Sequence, residues 1–412
     1  MPARPSRIAL ALVLAALAAL VALAASSCSG ADELRTLKRE QLFTLGFGTM
    51  EDQLNLFSLS GNAPPLPSSM AMRDGIFFIA NGNAGKVISL SSFGDLLSMV
   101  YNPDRNPAPV ILKLAQAGEP AQGRVARTYP FNAPGAIAVD SRRSFFVEER
   151  VPEERRSYDE AAQASLEYVV LRFSRDGEYQ DYLGQEGLGG TPFPLIASIL
   201  ITPSDGCVVV CVTGEGWTAF WFSAEGLLES TVRISRDRLP LPEGEADLFP
   251  SLDGIGLSPD GDGLLLKIDY YRDVIDQATR SRTGVEFASS RAWILSRSRG
   301  GFEDDFELPG FEPPQAKRGA PKPVPRSWDF LGVTLGKVFM SAVDDEGSTY
   351  FGVFDPASKV LSRFSLVIEP DELMYRTLHL SPDGIVSAIL ATRFEARVVW
   401  WRFDRVIGGR AP

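Results

Sequence analysis

Pro134-Gly-Ala-Ile-Ala-Val-Asp140, then Phe145-Phe-Val-Glu148, then Tyr168-Val-Val-Leu-Arg-Phe-Ser-Arg-Asp-Gly177, then residues 178–183: this is the stretch on which the fold turns. Each piece is a short run of aliphatic, β-branched or aromatic residues closed by Gly, Pro, Asp or Ser, the pattern of strands joined by tight turns. Together they spell one phrase: a Pro-led apolar strand, a turn, a second strand, a gap, a third strand, a Ser/Asp-x-x-Gly turn and a fourth strand. Four consecutive antiparallel strands make a sheet with apolar residues on both faces. Such a sheet needs a neighbour on each side.

The phrase recurs along the chain, and a repeat of this length is the signature of stacked units. One copy runs from Met70 through Gly75-Ile-Phe-Phe-Ile-Ala-Asn81 and Lys86-Val-Ile-Ser-Leu-Ser-Ser-Phe-Gly94 to Tyr101. Others occupy residues 199–234, 254–308 and 330–368. The last, from Leu378-His-Leu-Ser-Pro-Asp-Gly384 to Asp404, ends after three strands. Its missing strand has a donor in Gln41-Leu-Phe-Thr-Leu-Gly-Phe-Gly48 or the continuation to residue 59. Sheets stacked radially into a closed ring leave only short, protected edges. The expectation is therefore all-β: one β-propeller over residues 41–407, with six four-stranded blades and an N-terminal closing strand within 41–59. Seven blades is the alternative, should the Pro-rich excursions hide strands.

Asn132-Ala-Pro-Gly-Ala-Ile-Ala-Val-Asp140 and Ile79-Ala-Asn-Gly-Asn-Ala-Gly-Lys-Val-Ile88 resemble the two recognisable phrases of NHL-repeat six-bladed propellers. Ser258-Pro-Asp-Gly261 and Ser381-Pro-Asp-Gly384 are closer to the turn phrase of WD40-like propellers. That phrase reports a β-turn first, since Pro presets the first turn position and Asp-Gly suits a hairpin. With its leader, the chain resembles spirochaete-type propeller lipoproteins, a likeness that implies fold and location and no reaction.

The leader is Arg4 and Arg7, an unbroken apolar run over residues 8–25, then Ser26, Ser27 and Cys28. This is the plan of a secretory signal. The cysteine after the small residues resembles a bacterial lipobox, with Ala25 where Leu is usual. Residues 1–27 are thus expected to be removed, Cys28 acylated, and residues 28–40 to form a tether, with 408–412 a tail. An uncleaved anchor or simple secretion are the other readings, and all three place the protein outside the cytoplasm, in the periplasm or at the cell surface.

Composition excludes several partners. Hydrophobic residues make up 45% and charged residues 23%, an ordinary globular balance. Net charge is −11, and losing Arg4 and Arg7 with the leader leaves about −13. That charge repels nucleic acid. Gly82-Asn-Ala-Gly85-Lys86 lacks the Walker spacing, and Gly46-Phe-Gly48 is followed by Glu51 where a dinucleotide fingerprint needs glycine, so no nucleotide is expected. Cys207 and Cys211 lie four apart on one strand, about 13 Å along it, and read as packed thiols.

The one histidine, His379, sits between two leucines and reads as structural, facing the ring exterior or a neighbouring blade. Carboxylates and amides remain. Propellers of the calcium-dependent lactonase type hold a metal in the central channel with Glu, Asn and Asp from several blades, and a resemblance to them would nominate Asn81 or Asn83, Asp140 or Glu148, and Asp269. Asp140, Asp205 and Asp260 sit in turn phrases, and Glu303-Asp-Asp305 and Asp344-Asp-Glu346 read as solvated turns. Trp217, Phe220, Trp221, Phe222, Trp400, Trp401 and Phe403 read as packing between blades. Two functions follow. One is an envelope lipoprotein binding a protein, peptide or glycan partner, without a cofactor. The other is a calcium-dependent hydrolase or lyase.

Overall fold

A computed structural model describes residues 34–57, 66–116, 118, 123–314 and 324–407. The leader, Cys28 and the tail 408–412 lie outside the described residues. Among the described residues, six sheets of four or more strands follow one another, plus one separate two-stranded hairpin. Their innermost strands are Ser68–Arg73, Pro134–Val139, Leu195–Ile201, Phe249–Leu257, Asp329–Thr334 and Tyr375–Leu380. Each of these packs against the next, and the sixth returns to the first. The architecture is an all-β propeller around a central channel.

Burial follows from that ring. The second strands, such as Cys207–Val212 and Val386–Ala391, are buried at almost every position, because neighbouring sheets cover both faces. That is why they read as unbroken Val, Ile, Leu and Ala runs rather than alternating ones. The innermost strands Phe249–Leu257, Asp329–Thr334 and Tyr375–Leu380 are mostly half-exposed, since only their outer edge is paired and the inner edge faces the channel.

The ring closes through the N-terminus. Glu40–Phe47 pairs antiparallel with Glu395–Trp401 as the fourth strand of the sixth sheet. Ahead of it, Arg35–Leu37 runs parallel to Val360–Leu366 on the outer edge of the fifth sheet. Behind it, residues 48–57 are clamped to the first sheet. Lys86, wholly buried, donates from Nζ to the carbonyls of Thr49 (3.3 Å) and Met50 (2.5 Å), and burial lowers its pKa to about 8. The Glu51 carboxylate accepts the backbone N–H groups of Val110, Ile111 and Leu112 at 2.7–3.2 Å. These side chains give partners to backbone groups at both places that burial would otherwise leave unpaired.

The excursions differ from the expectations. The described residues of the proline-rich stretch 102–128 add two short strands, Lys113–Leu114 and Val125–Thr128, parallel to the edge of the first sheet, and form no further blade. Residues 151–166, charged and then Ala-rich, form a 3-10 turn at Glu153–Arg155 and a hairpin, Ser157–Asp159 with Ala164–Leu166. The polar insertion 271–290 extends two strands of the fourth sheet, Gly263–Ile275 and Arg282–Ser296, into a hairpin arm beyond the ring. Glu303–Asp305 lies within the outer strand Phe302–Leu308 rather than in a turn, its charges reaching solvent from the sheet edge. Asp344 does cap a turn, accepting from the N–H groups of Glu346 and Ser348. Cys207 and Cys211 are buried free thiols. Trp221 and Trp401 are buried, and Trp400 donates from Nε1 to Glu40 of the closing strand at 2.8 Å.

Leu45, 4% exposed, is the closing strand's buried anchor. Leu45→Ala should cost about 2–4 kcal/mol in urea unfolding. Limited proteolysis of that variant should cut first within residues 38–57.

Candidate functional site

A cavity of about 840 Å³ occupies the channel. Its wall uses the C-terminal halves of all six innermost strands, which therefore run the same way along the axis. Ile137, Val139, Ile199, Ile255 and Val333 make most of the wall apolar, with Arg73, Asp205, Asp253 and His379 the ionisable groups. His379 hydrogen-bonds the Met72 backbone of the neighbouring first sheet, and burial lowers its pKa to about 4. Its Nε2 is buried and without a partner. The ring is therefore neutral near pH 7, and among the described residues no hydroxyl, thiol or carboxylate engages it as a nucleophile–base pair would require. Asp205 is tied to the turn of the second sheet, accepting from Ser141 N (2.8 Å) and Oγ (2.5 Å). Burial opposes its charge, but these bonds hold its carboxyl below the usual range.

At the other end of the channel the sheets are tied together by polar side chains. Tyr375 of the sixth sheet bonds the Ser68 backbone of the first, and Ser69 Oγ donates to the Gly135 carbonyl of the second at 2.5 Å. Four innermost strands carry an irregularity in register here, at residues 134–137, 196–198, 252–254 and 330–332. A bulge frees backbone groups from the ladder and turns side chains out of it. Glu148 supplies one missing acceptor, taking the Ala136 N–H at 2.9 Å. Asp253 supplies another, taking the Phe330 N–H of the next sheet at 2.8 Å. Gly254 is required there, since a Cβ would stand 2.4 Å from the Phe330 ring.

Asp253 also belongs to a buried charge cluster. Lys267, fully buried, lies 3.0 Å from Asp253 and 2.7 Å from Asp269, and donates to Ser327 Oγ at 3.1 Å. Asp269 in turn accepts from Ser290 and Ser327. Asp329 stands nearby with its pKa raised by burial and by the Asp253 charge. Every donor of the ammonium is matched, so the cluster locks the fourth sheet to the fifth.

The nominated metal residues are all engaged in hydrogen bonds within the protein. Asn81 exchanges hydrogen bonds with the Asn55 backbone and donates to Ser68, while Asn83 accepts the Leu66 N–H. Asp140 caps its own turn through the N–H groups of Arg142 and Ser144. Glu148 serves the bulge, and Asp269 serves Lys267. Among the described residues no three His, Cys, Asp or Glu side chains are grouped closely enough to share a metal ion.

Sequence reasoning passed over Glu149. It is 6% exposed; Oε1 accepts from Asn132 N (2.6 Å) and Ala133 N (3.0 Å), and Oε2 is buried without a partner. Burial raises its pKa to about 7, against the pull of those two N–H groups and of Arg105. The signal was a second acid directly after Glu148, where the apolar run Phe145–Val147 has just ended.

The exposed apolar side chains lie mainly at one end of the ring. Leu195, Leu241, Phe249, Ile275 and Val285 all sit in segments that enter an innermost strand or join second to third strands. In an antiparallel four-strand sheet those connections share one end. The hairpin arm of the fourth sheet rises from it.

Two outcomes follow for the buried charges. Glu149 releases its proton near 4.5 when unfolded and near 7 when folded, so its favourable contribution is complete at low pH and is lost as pH rises from about 4.5 to 7. Glu149→Gln should flatten that part of the stability–pH curve, by up to about 3 kcal/mol, in denaturant titrations at pH 5 and 8. Lys267→Met should destabilise the fold by about 3–5 kcal/mol, because it leaves Asp269 buried without its cation.

No protein-family model matches this chain, and no curated protein does. Among solved structures it is similar to a protein of unknown function from Desulfotomaculum acetoxidans, at 10% identity over 79% of this chain and 93% of that one, with a TM-score of 0.30. It is also similar to the Dos1 propeller, at 10% identity over 89% and 95% of the two chains, with a TM-score of 0.33. Identity at this level says nothing of substrate or partner.

Proposed function

We propose that this protein is an envelope lipoprotein whose six-bladed propeller is a binding module for a protein partner, held to a membrane by acylated Cys28. The supporting observation is the apolar surface at the loop end around the third and fourth sheets. Leu195 is 52% exposed, Phe249 49% and Val285 50%, beside an arm that carries strand pairing out past the ring. Exposed apolar side chains gathered at one end of a fold suit a protein contact, whose energy comes from a few desolvated anchors. The lactonase-like alternative needs carboxylates and amides converging on the axis. Here the axial cavity carries mostly aliphatic side chains with Arg73, Asp205, Asp253 and His379, and of its two carboxylates Asp253 is taken up by Lys267 and Asp205 by Ser141.

Photo-crosslinking side chains at positions 249 and 285 should give the same discrete adduct in cells, while position 93, at the far end of the first sheet, should give none. Phe249→Glu with Val285→Glu should reduce that adduct at least tenfold without lowering the melting temperature. Equal adducts from position 93 would sink the reading. Separately, Cys28→Ser should abolish palmitate labelling and release the protein from the membrane fraction.

A further inference from the structure

We infer that the loop end of the sixth sheet rests in the lipid interface, so that the ring tilts with its third and fourth sheets away from the membrane. The inference rests on the reading of Cys28 as the acylated residue. It begins with reach. Five residues separate Cys28 from Leu34, the first described residue, six Cα steps and a span of at most about 22 Å. The chain then enters the fold at a fixed place. Leu37 pairs with Leu366, the last residue of the outer strand of the fifth sheet, and Val367 follows directly. Leu34 stands level with Arg363, so Leu34 to Val367 is about 13 Å along the strand direction.

What stands at that place is apolar and exposed. Val367 is 52% exposed, and Leu373 and Met374 are 43% and 55%. These last two lie against the end of the sixth sheet's second strand, Met374 N donating to the Ala391 carbonyl at 3.2 Å. Phe394, three residues beyond Ala391, is 85% exposed at the tip of the next turn. Its backbone is fixed, the Phe394 N–H donating to Thr392 Oγ1 at 3.1 Å. A phenylalanine held in water by an ordered turn gains only when something apolar covers it.

The tether selects the bilayer as that cover. Acyl chains on Cys28 hold this corner within reach of the interface at all times, so lipid competes for the patch at a very high effective concentration. Arg35, Lys38 and Arg393 are exposed around it, and long basic side chains of this kind extend to headgroup phosphates while their stems lie in the apolar layer. Glu369 and Asp371 are exposed there too, so apolar contact and not net charge must carry the association. In a ring of six sheets the third lies opposite the sixth. The proposed partner surface is thereby turned away from the lipid.

The test uses the full acylated protein in phosphatidylcholine vesicles, with Met374→Cys or Phe394→Cys carrying an environment-sensitive dye. Cys207 and Cys211 are buried and do not compete for the label. Val285→Cys and Phe93→Cys are the comparison positions. Dye at 374 and 394 should shift to the blue and be quenched by nitroxide lipids, equally at 50 and 500 mM salt, while dye at 285 and 93 reports water. Acylated, vesicle-bound protein whose 374 and 394 labels report water would overturn the inference and leave the lipoprotein reading intact. Protein that carries no acyl chain would overturn both.

Discussion

Ring closure by the strand Glu40–Phe47 is the constraint on which the rest depends. Each sheet of this protein is apolar on both faces, so no sheet is stable with one neighbour missing. The sixth sheet has only three strands from the C-terminal end of the chain, and its outer edge is completed from the other end. Placing that strand also fixes the residues on either side of it. Arg35–Leu37 is drawn onto the fifth sheet, and the turn at 48–52 is drawn under Lys86 of the first. Three consecutive sheets are thereby held by one short stretch of chain.

Buried polar groups make the same kind of link elsewhere in the ring. Lys267 joins the fourth sheet to the segment leading into the fifth, Asp205 joins the third to the second, and Tyr375 joins the sixth to the first. Hydrophobic packing between sheets is strong but tolerant of sliding, and a buried charge pair is intolerant of it. The cost of desolvation is met by matching every donor, as at Lys267. Glu149 departs from this, as His379 does, with one buried atom left unmatched and a pKa displaced by burial.

The two ends of the channel consequently differ. One end opens into a largely aliphatic cavity, the other is knitted by bulges and side-chain bonds and surrounded by the long connections. Exposed apolar residues follow the connections. Around the third and fourth sheets they make a surface suited to another protein. Around the sixth they stand beside the entry of the tether, where lipid is nearest.

The amino-acid sequence by itself determined the strands and the order of the sheets, because two-sided burial writes unbroken apolar runs such as Cys207–Val212, and turns between them need Gly, Pro and Asp. It also marked the closing strand, since the last repeat stops one strand short. Only the tertiary structure decided the fate of the ionisable residues. Asp269 resembles a ligand in sequence and is the partner of Lys267 in space; Glu148 and Glu149 are neighbours in sequence, yet one serves a strand bulge and the other the loop before it. Strand periodicity states which residues share a face, but the neighbour across the gap comes from a sheet dozens of residues away. The long insertions were equally silent: residues 271–290 are polar because both faces of the arm meet water, and that same exposure hides their strand character from any pattern based on burial.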